Sequence, residues 1–210
     1  MQESVREFVF VRHGETHWNV EQRLQGLGDS PLTERGRAQV AAHLPWLRTF
    51  RPERLVASPL GRTMATAGIL ALALELPVEP EPALRERCMG RFEGWTLDEV
   101  RAGEPEIFAE RERSPWSFRA PGGENYDDLL ARVSPFLDRL VAAPEVRVLI
   151  VAHGTIVRPM LGHLLGLPRS TILRIHQPND LMYRVRLGAA ESSVERWRAG
   201  RAAEGLLLAH

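Results

Sequence analysis

The chain has 210 residues, of which 44% are hydrophobic, and its 27 Asp and Glu residues balance 27 basic residues, so the formal net charge is zero. This composition excludes an intrinsically disordered chain, and a neutral chain has no overall attraction to nucleic acid or to an anionic membrane. All 27 basic residues are arginine, which excludes enzymes that need a lysine amine, such as Schiff-base aldolases, pyridoxal phosphate enzymes and P-loop NTPases.

The first half of the chain predicts strands that alternate with helices. In chain order, these are a strand over 8–11, a helix over 33–50, a strand over 55–57, a helix over 58–74 and a short strand near 78. Thr33 is placed to cap the first helix, and Pro59 suits the first position of the second one.

The second half predicts an irregular insertion followed by a return to regular elements. These are the segment 85–123, a helix over 124–142, a strand over 146–151, a helix over 154–164, and two closing antiparallel strands over 181–187 and 193–198. The order predicts an α/β fold: a three-layer α/β/α sandwich with a mostly parallel central sheet. We expect a single domain over 1–210, with about 85–123 inserted as a lid over the active site.

Cys88 is the only cysteine, so the chain has no intrachain disulfide and no cysteine-rich zinc site. No segment resembles a signal peptide or reaches the roughly 18–20 apolar residues of a membrane span. We therefore expect a cytoplasmic protein, monomeric or homodimeric, without nucleic acid or membrane partners.

Polar residues and glycines follow three of the predicted strands at the point where each strand ends. They are Arg12-His13-Gly14 after the first, Ser58 and Arg62 after the second, and His153-Gly154 after the long strand. Because ligands of such sheets bind beyond the carboxyl ends of the strands, two histidines and two arginines are expected to converge. The two glycines would let backbone N–H groups approach an anion. The pattern predicts a site for a dianionic phosphate, with a histidine as nucleophile.

Five motifs, in order along the chain, resemble the histidine phosphatases, also called the phosphoglycerate mutase-like superfamily. They are Val11–Thr16 with Trp18-Asn19, Pro31–Gly36, Ala57–Thr63, Leu84–Glu86 with Gly90 and Phe92–Gly94, and Gly122–Glu124 with Val151–Gly154. The resemblance implies a phosphatase that acts on a small phosphorylated metabolite without a metal or other cofactor.

The resemblance also implies a role for individual residues. His13 becomes a phosphohistidine, and Glu86 protonates the leaving oxygen and then deprotonates the attacking water. Arg12, Arg62 and His153 bind the phosphoryl oxygens. The further substrate-binding candidates are Asn19, Gln25, Gly26 and Gly154.

Each of these residues also has an ordinary structural interpretation. Arg12 and Arg62 could form surface ion pairs, His153 could be a core histidine, and Glu86 could pair with Arg85 or Arg87. Glu15 and Glu93 are the rival general acids. The lid candidates for contact with the rest of the substrate are Arg111, Arg113, Trp116 and Arg119.

Two alternatives to a phosphatase remain at this point. Cofactor-dependent phosphoglycerate mutases of this type resemble one another in a lysine after the donor glutamate and in adjacent arginines in a longer lid. They also have a small hydroxyl residue before a glycine, where this chain has Gln25 before Gly26. This chain has no lysine and no Arg-Arg pair, which favours the phosphatase. The other alternative is a protein that binds phosphorylated ligands without turnover, and the presence of His13, Glu86 and His153 argues against it.

Overall fold

The computed structural model describes residues 5–188, 191–198 and 200–209. The strands are β1 (Arg6–Arg12), β2 (Arg54–Ala57), β3 (Val78–Pro80), β4 (Arg147–Ala152), β5 (Leu181–Leu187), β6 (Ser192–Arg198) and β7 (Arg201–Glu204). The helices are α1 (His17–Val20), α2 (Glu34–Ala41), α3 (Leu44–Phe50), α4 (Gly61–Leu74), α5 (Leu97–Gly103), α6 (Pro105–Arg113), α7 (Tyr126–Ala142), α8 (Gly154–Leu165) and α9 (Arg169–Arg174).

The seven strands form one sheet in the order β3-β2-β4-β1-β5-β6-β7. Strands β1 to β4 are mutually parallel, whereas β5, β6 and β7 are added antiparallel to β1 and to one another. The predicted α/β fold is confirmed. The prediction of a mostly parallel sheet holds only for the four-stranded half, because β5 to β7 are joined by short connections that only antiparallel neighbours allow.

Helices cover both faces of the parallel half. Phe8 and Phe10 of β1 face a core formed with α7 and α8, while Val9 and Val11 face a second core formed with α2, α3 and α4. Successive residues of a strand point to opposite faces, so a strand between two helical layers must be apolar throughout. This burial on both sides fixes where β1, β2 and β4 end, and the functional side chains follow at those ends.

Two predicted helices differ in their bounds. The helix predicted over 33–50 is two helices, because α2 ends at Ala41 and α3 restarts with Pro45 at its beginning. Thr33 does cap α2, since its hydroxyl accepts the Gly36 N–H at 2.9 Å. The helix predicted to open at Pro59 begins at Gly61.

Helix α9 and strand β7 were absent from the sequence prediction. The α9 helix has only six residues, too few for an amphipathic period to be read, and all four residues of β7 are exposed, so no alternation marks it.

Within the described residues, no helix is long and apolar enough to cross a lipid bilayer.

The segment 85–123 contains α5, α6 and a short 3-10 helix over Gly90–Phe92. It has a small apolar cluster of its own, formed by Phe92, Val100, Phe108, Phe118 and Ala120. Residues at the beginning of this segment reach the carboxyl ends of the parallel strands, where the candidate site lies.

Candidate active site

A pocket of about 170 Å³ lies at the carboxyl ends of β1 and β2 and at the start of α8. Seven of the predicted site residues line it, namely Arg12, His13, Asn19, Gln25, Gly26, Arg62 and Glu86. Arg23, Leu24, Arg87, Met89 and Thr155 also line it. We call this cavity the phosphate pocket.

His13 follows β1 directly and is 3% exposed. Its Nδ1 lies 2.9 Å from the carbonyl oxygen of Gly14. A carbonyl oxygen only accepts hydrogen bonds, so Nδ1 carries the proton and Nε2 keeps its lone pair. The imidazole is therefore held in the tautomer that a nucleophile needs.

Gly14 has a different role from the one the sequence predicts. Its N–H donates to the Thr66 hydroxyl at 3.1 Å, so this donor is already used within the protein. A side chain at this position would collide with the carbonyl of Gly36, so the missing Cβ allows the loop after β1 to pack against the start of α2.

Both predicted arginines are tied to backbone carbonyls by their terminal nitrogens. Arg12 donates Nη1 to Gln177 at 2.8 Å, and Arg62 donates Nη2 to Gly26 at 2.8 Å and Nη1 to Gly28 at 2.6 Å. Arg62 also pairs with Asp29 at 3.3 Å, although its own side chain is only 1% exposed. The Nε atoms of both arginines are buried without a partner among the described residues. The structure therefore does not support the alternative in which Arg12 and Arg62 form ordinary ion pairs on the surface.

His153 is fully buried behind His13. The two rings lie 5.3 Å apart at 61°, and His153 Nε2 is 2.8 Å from the hydroxyl oxygen of Ser58. Its Nδ1 is buried and has no partner within the described part of the chain. His153 is not among the residues that line the phosphate pocket, so the structure places it as a neighbour of His13 and of Ser58.

Gly154 does not line the pocket either. A Cβ on Gly154 would lie 3.2 Å from the guanidinium carbon of Arg12. The glycine thus makes room for Arg12 beside the first turn of α8.

Glu86 is held at the N-terminus of α8. Its two carboxylate oxygens accept the N–H groups of Thr155 at 3.0 Å and Ile156 at 3.1 Å, and one also accepts the N–H of Arg87 at 2.8 Å. Among the described residues it forms no ion pair with Arg85 or Arg87. The Arg87 guanidinium donates instead to the carbonyls of Phe118 and Glu124.

The rival acids are engaged elsewhere. Glu15 accepts the Thr33 hydroxyl at 2.9 Å and pairs with Arg35 at 3.5 Å. Glu93 accepts the N–H groups of Leu27 at 2.9 Å and of Gly28 at 3.1 Å. Neither carboxylate lines the phosphate pocket, which leaves Glu86 in the position of a general acid.

Asn19, Gln25 and Gly26 also line the phosphate pocket. The side-chain amide oxygen of Asn19 accepts the N–H of Thr16 at 3.2 Å, and Gln25 Nε2 donates to the Thr16 hydroxyl at 2.9 Å. Gly26 has φ +51, a left-handed conformation that turns its carbonyl toward Arg62.

Two positioning residues were missed by the sequence analysis. The side chain of Asn179 donates to the carbonyl of His13 at 2.8 Å, and Gln177, whose carbonyl accepts Arg12, donates its own side chain to the carbonyl of Phe10 at 2.9 Å. Both lie in the connection between α9 and β5. An Asn or Gln in a loop carries no local signal of such a distant contact.

The four lid residues that were expected to contact the rest of the substrate lie in different environments. Trp116 is buried, stacks on Tyr126 and donates its indole N–H to Asp127, so it is a core residue. Arg119 pairs with Asp128 at 2.6 Å, and Arg113 is exposed. Arg111 lines a second cavity, which shares Arg87 with the phosphate pocket.

Burial lowers the pKa of His13 well below its ordinary value, and the charges of Arg12 and Arg62 lower it further. The pKa of His153 is also lowered, first by burial and then by Arg62 and His13. Both imidazoles are therefore neutral at pH 7.

This lowered pKa gives a spectroscopic prediction. A histidine with an ordinary pKa of about 6.5 is half protonated at that pH, whereas His13 should remain neutral as the pH falls through it. Nitrogen chemical shifts of the labelled ring, followed from about pH 7.5 to about pH 5.5, should stay at their neutral values. The same protein in denaturant provides the control, where a midpoint near 6.5 is expected. A midpoint near 6.5 in the native protein would contradict the assignment.

Within the described residues, no group of three or more His, Cys, Asp or Glu side chains is arranged to hold a metal ion.

The sequence and the fold were compared with those of known proteins. The model of the histidine phosphatase superfamily (branch 1) matches residues 8–200. The probable phosphoglycerate mutase GpmB of Erwinia tasmaniensis is 37% identical over 176 residues, which cover 83% of this chain and 82% of that protein.

Two solved structures are similar over nearly the whole chain. Mycobacterial hydrolase 1 superposes with a TM-score of 0.83 at 29% identity and covers 96% of this chain and 100% of its own. Mycobacterial glucosyl-3-phosphoglycerate phosphatase in complex with VO3 superposes with a TM-score of 0.78 at 30% identity, over 98% of this chain and 100% of its own. The names of these similar proteins divide between mutase and hydrolase.

Proposed function

The chain belongs to the histidine phosphatase superfamily (branch 1), and from that premise we propose that it hydrolyses a phosphate monoester of a small metabolite through a phosphohistidine at His13. The observation that carries this proposal is the hydrogen bond from His13 Nδ1 to the Gly14 carbonyl, which leaves the lone pair on Nε2 in a pocket that Arg12 and Arg62 also line. Its family identifies the chain as an enzyme of the histidine phosphatase type. Hydrolysis, rather than transfer to a second hydroxyl, and the small-metabolite substrate are part of the proposal.

In the first step, Nε2 of His13 attacks phosphorus. A bond between nitrogen and phosphorus forms, the ester bond between phosphorus and the leaving oxygen breaks, and Glu86 gives a proton to that oxygen. The unpartnered Nε atoms of Arg12 and Arg62 are donors for the phosphoryl oxygens. Each such cation about 4 Å from a phosphoryl charge contributes roughly 4 kcal/mol at an effective dielectric constant near 20.

In the second step, water attacks the phosphohistidine. Glu86, now a carboxylate, takes a proton from the water, the bond between nitrogen and phosphorus breaks, and inorganic phosphate and free His13 result. Phosphoryl transfer depends mainly on positioning and on stabilisation of charge, and the arginines supply both. We further propose that one domain over 1–210 performs this reaction, with 85–123 as its lid.

Hydrolysis and mutase activity share this first step and differ in the acceptor. The similar protein of Erwinia tasmaniensis is called a probable mutase, whereas the similar solved structures are called hydrolase and phosphatase. The absence of lysine and of adjacent arginines supports hydrolysis here. The test is a panel of phosphorylated metabolites that includes 3-phosphoglycerate with 2,3-bisphosphoglycerate: hydrolysis releases inorganic phosphate, and a mutase forms 2-phosphoglycerate instead. Absence of both products, and of p-nitrophenyl phosphate hydrolysis, would support a binding protein.

The arginine-based site predicts independence from metal ions. Removal of divalent ions with EDTA should leave p-nitrophenyl phosphate hydrolysis essentially unchanged, because guanidinium groups stabilise the phosphoryl charge. Protein dialysed without chelator serves as the control. A large loss of activity that Mg²⁺ or Zn²⁺ restores would contradict this reading of the site.

A further inference from the structure

The carbonyl group of Gly14 decides which nitrogen of His13 is free to react, because it accepts a hydrogen bond from Nδ1. This carbonyl belongs to the peptide unit that joins Gly14 to Glu15, and the other polar group of that unit is the N–H of Glu15. The Glu15 N–H donates to the side-chain oxygen of Gln39 at 3.0 Å. Because a peptide unit is planar, a hydrogen bond on its N–H also restrains the direction of its carbonyl. A continuous path of hydrogen bonds thus runs from Gln39 to the ring of His13.

Gln39 reaches this peptide because the first turn of α2 packs against the loop after β1. The N–H of Thr33 donates to the Glu15 carbonyl at 2.9 Å, and a side chain on Gly36 would collide with that same carbonyl. Gln39 itself is half-buried near the end of α2 and lies outside the described lining of the phosphate pocket. Its contribution to the site is therefore indirect.

Other side chains hold the preceding peptide unit, between His13 and Gly14. The N–H of that unit donates to the Thr66 hydroxyl at 3.1 Å, and its carbonyl accepts the side chain of Asn179 at 2.8 Å. Among the described residues, Gln39 is the one partner of the Glu15 N–H. It is thus the side chain that acts on the very peptide whose carbonyl contacts the imidazole.

The path also has an electrostatic consequence, because hydrogen bonds in a chain polarise one another. An acceptor on the Glu15 N–H increases the negative charge on the Gly14 oxygen, which strengthens the hydrogen bond from Nδ1. When Nε2 of His13 bonds to phosphorus, Nδ1 keeps its proton and the ring gains positive charge, so this hydrogen bond becomes charge-assisted. An interaction that strengthens as the reaction proceeds contributes to the rate.

We propose that Gln39 is a positioning residue of the reaction, which acts on His13 through the peptide between Gly14 and Glu15. It holds the Gly14 carbonyl toward Nδ1, keeps the proton on that nitrogen, and stabilises the charge that the ring gains with the phosphoryl group. This inference rests on the proposed function and deepens it. It gives α2 a part in the reaction, although the described lining of the phosphate pocket contains no residue of α2.

Gln39→Met tests the proposal, because methionine keeps the length of the side chain and a high helix propensity but removes the acceptor. The rate of phosphohistidine formation from p-nitrophenyl phosphate in a single turnover should fall about threefold to tenfold, the range of one hydrogen bond, with KM nearly unchanged. In the same protein, the two nitrogen chemical shifts of the labelled His13 ring should move toward each other, because the proton then exchanges between Nδ1 and Nε2.

Two further variants separate this role from a purely structural one. Gln39→Glu keeps an acceptor oxygen and should restore the ring shifts and most of the rate. Thr33→Val is the matched control on the same helix, since it removes the hydroxyl that accepts the Gly36 N–H at 2.9 Å and leaves the contact of Gln39 in place. The loss of this cap should lower the midpoint of thermal unfolding, whereas the rate and the ring shifts should remain those of the wild type.

The outcomes distinguish this inference from the proposed function. If the wild type shows His13-dependent hydrolysis but Gln39→Met leaves the rate or the ring shifts unchanged, the inference is wrong and the function stands. Equal changes in Gln39→Met and Thr33→Val would also overturn it, because Gln39 would then act only through the stability of α2. Failure of Gln39→Glu to recover would count against it in the same way. If the wild type hydrolyses no phosphate ester, the function fails and the role of Gln39 fails with it.

Discussion

Replacement of His13 by alanine should reduce hydrolysis of every phosphate ester by about 10⁴-fold or more, because the group that receives the phosphoryl is removed. His13 is the one histidine in the described lining of the phosphate pocket, and its neighbour His153 has its Nε2 turned to Ser58. The measurement is kcat for p-nitrophenyl phosphate together with rapid quench of the wild type with labelled substrate. The label should be stable to base, labile to acid and located on His13.

His17→Asn is the matched control for this variant. His17 lies four residues along the chain and is exposed at the start of α1, outside the phosphate pocket. It should retain full activity and the same label. A label on a serine, or hydrolysis that persists in His13→Ala, would exclude His13 as the nucleophile.

Glu86→Gln should slow the transfer from alkyl phosphates to His13 by roughly 10²- to 10⁴-fold, because a basic alkoxide needs a proton as it leaves. An aryl phosphate leaves as a stabilised phenolate, so p-nitrophenyl phosphate should be affected much less in this step. Water must still be activated in the second step, and Glu86 serves there for both substrates. The measurement is therefore the rate of phosphohistidine formation in a single turnover.

Glu93→Gln is the comparison variant. Glu93 supports the backbone of Leu27 and Gly28, beside the carbonyls that hold Arg62, so its loss should slow both classes of ester alike. Equal slowing in Glu86→Gln would reduce Glu86 to a support for the start of α8, because its carboxylate accepts the N–H groups of Thr155 and Ile156. An unchanged rate would return the acid role to Glu15 or Glu93.

The local part of the site could be predicted from the sequence. Arg12, His13 and Arg62 lie at or just after the ends of short apolar strands, and the position of a strand end follows from where the buried run stops. Glu86 was placed by a motif, and the structure brings it to the same pocket although it lies in an irregular segment.

The distant contacts could not be predicted. Gln177 and Asn179 support Arg12 and His13 from more than 160 residues along the chain, and only the antiparallel placement of β5 beside β1 brings them there. Gly14 and Gly154 were assigned to anion binding because glycine often serves that purpose. Their neighbours, Gly36 and Arg12, show that close packing requires them, and such packing depends on the tertiary structure.

The ties that hold Arg12 and Arg62 have a consequence for the thermodynamics of ligand binding. An arginine side chain loses up to about 2 kcal/mol of rotamer entropy when it is ordered. For Arg12 and Arg62 this loss is complete when the chain folds, since carbonyls already hold their terminal nitrogens. The phosphate end of the site is thus rigid and already organised, so an anion that binds there does not have to order these two side chains.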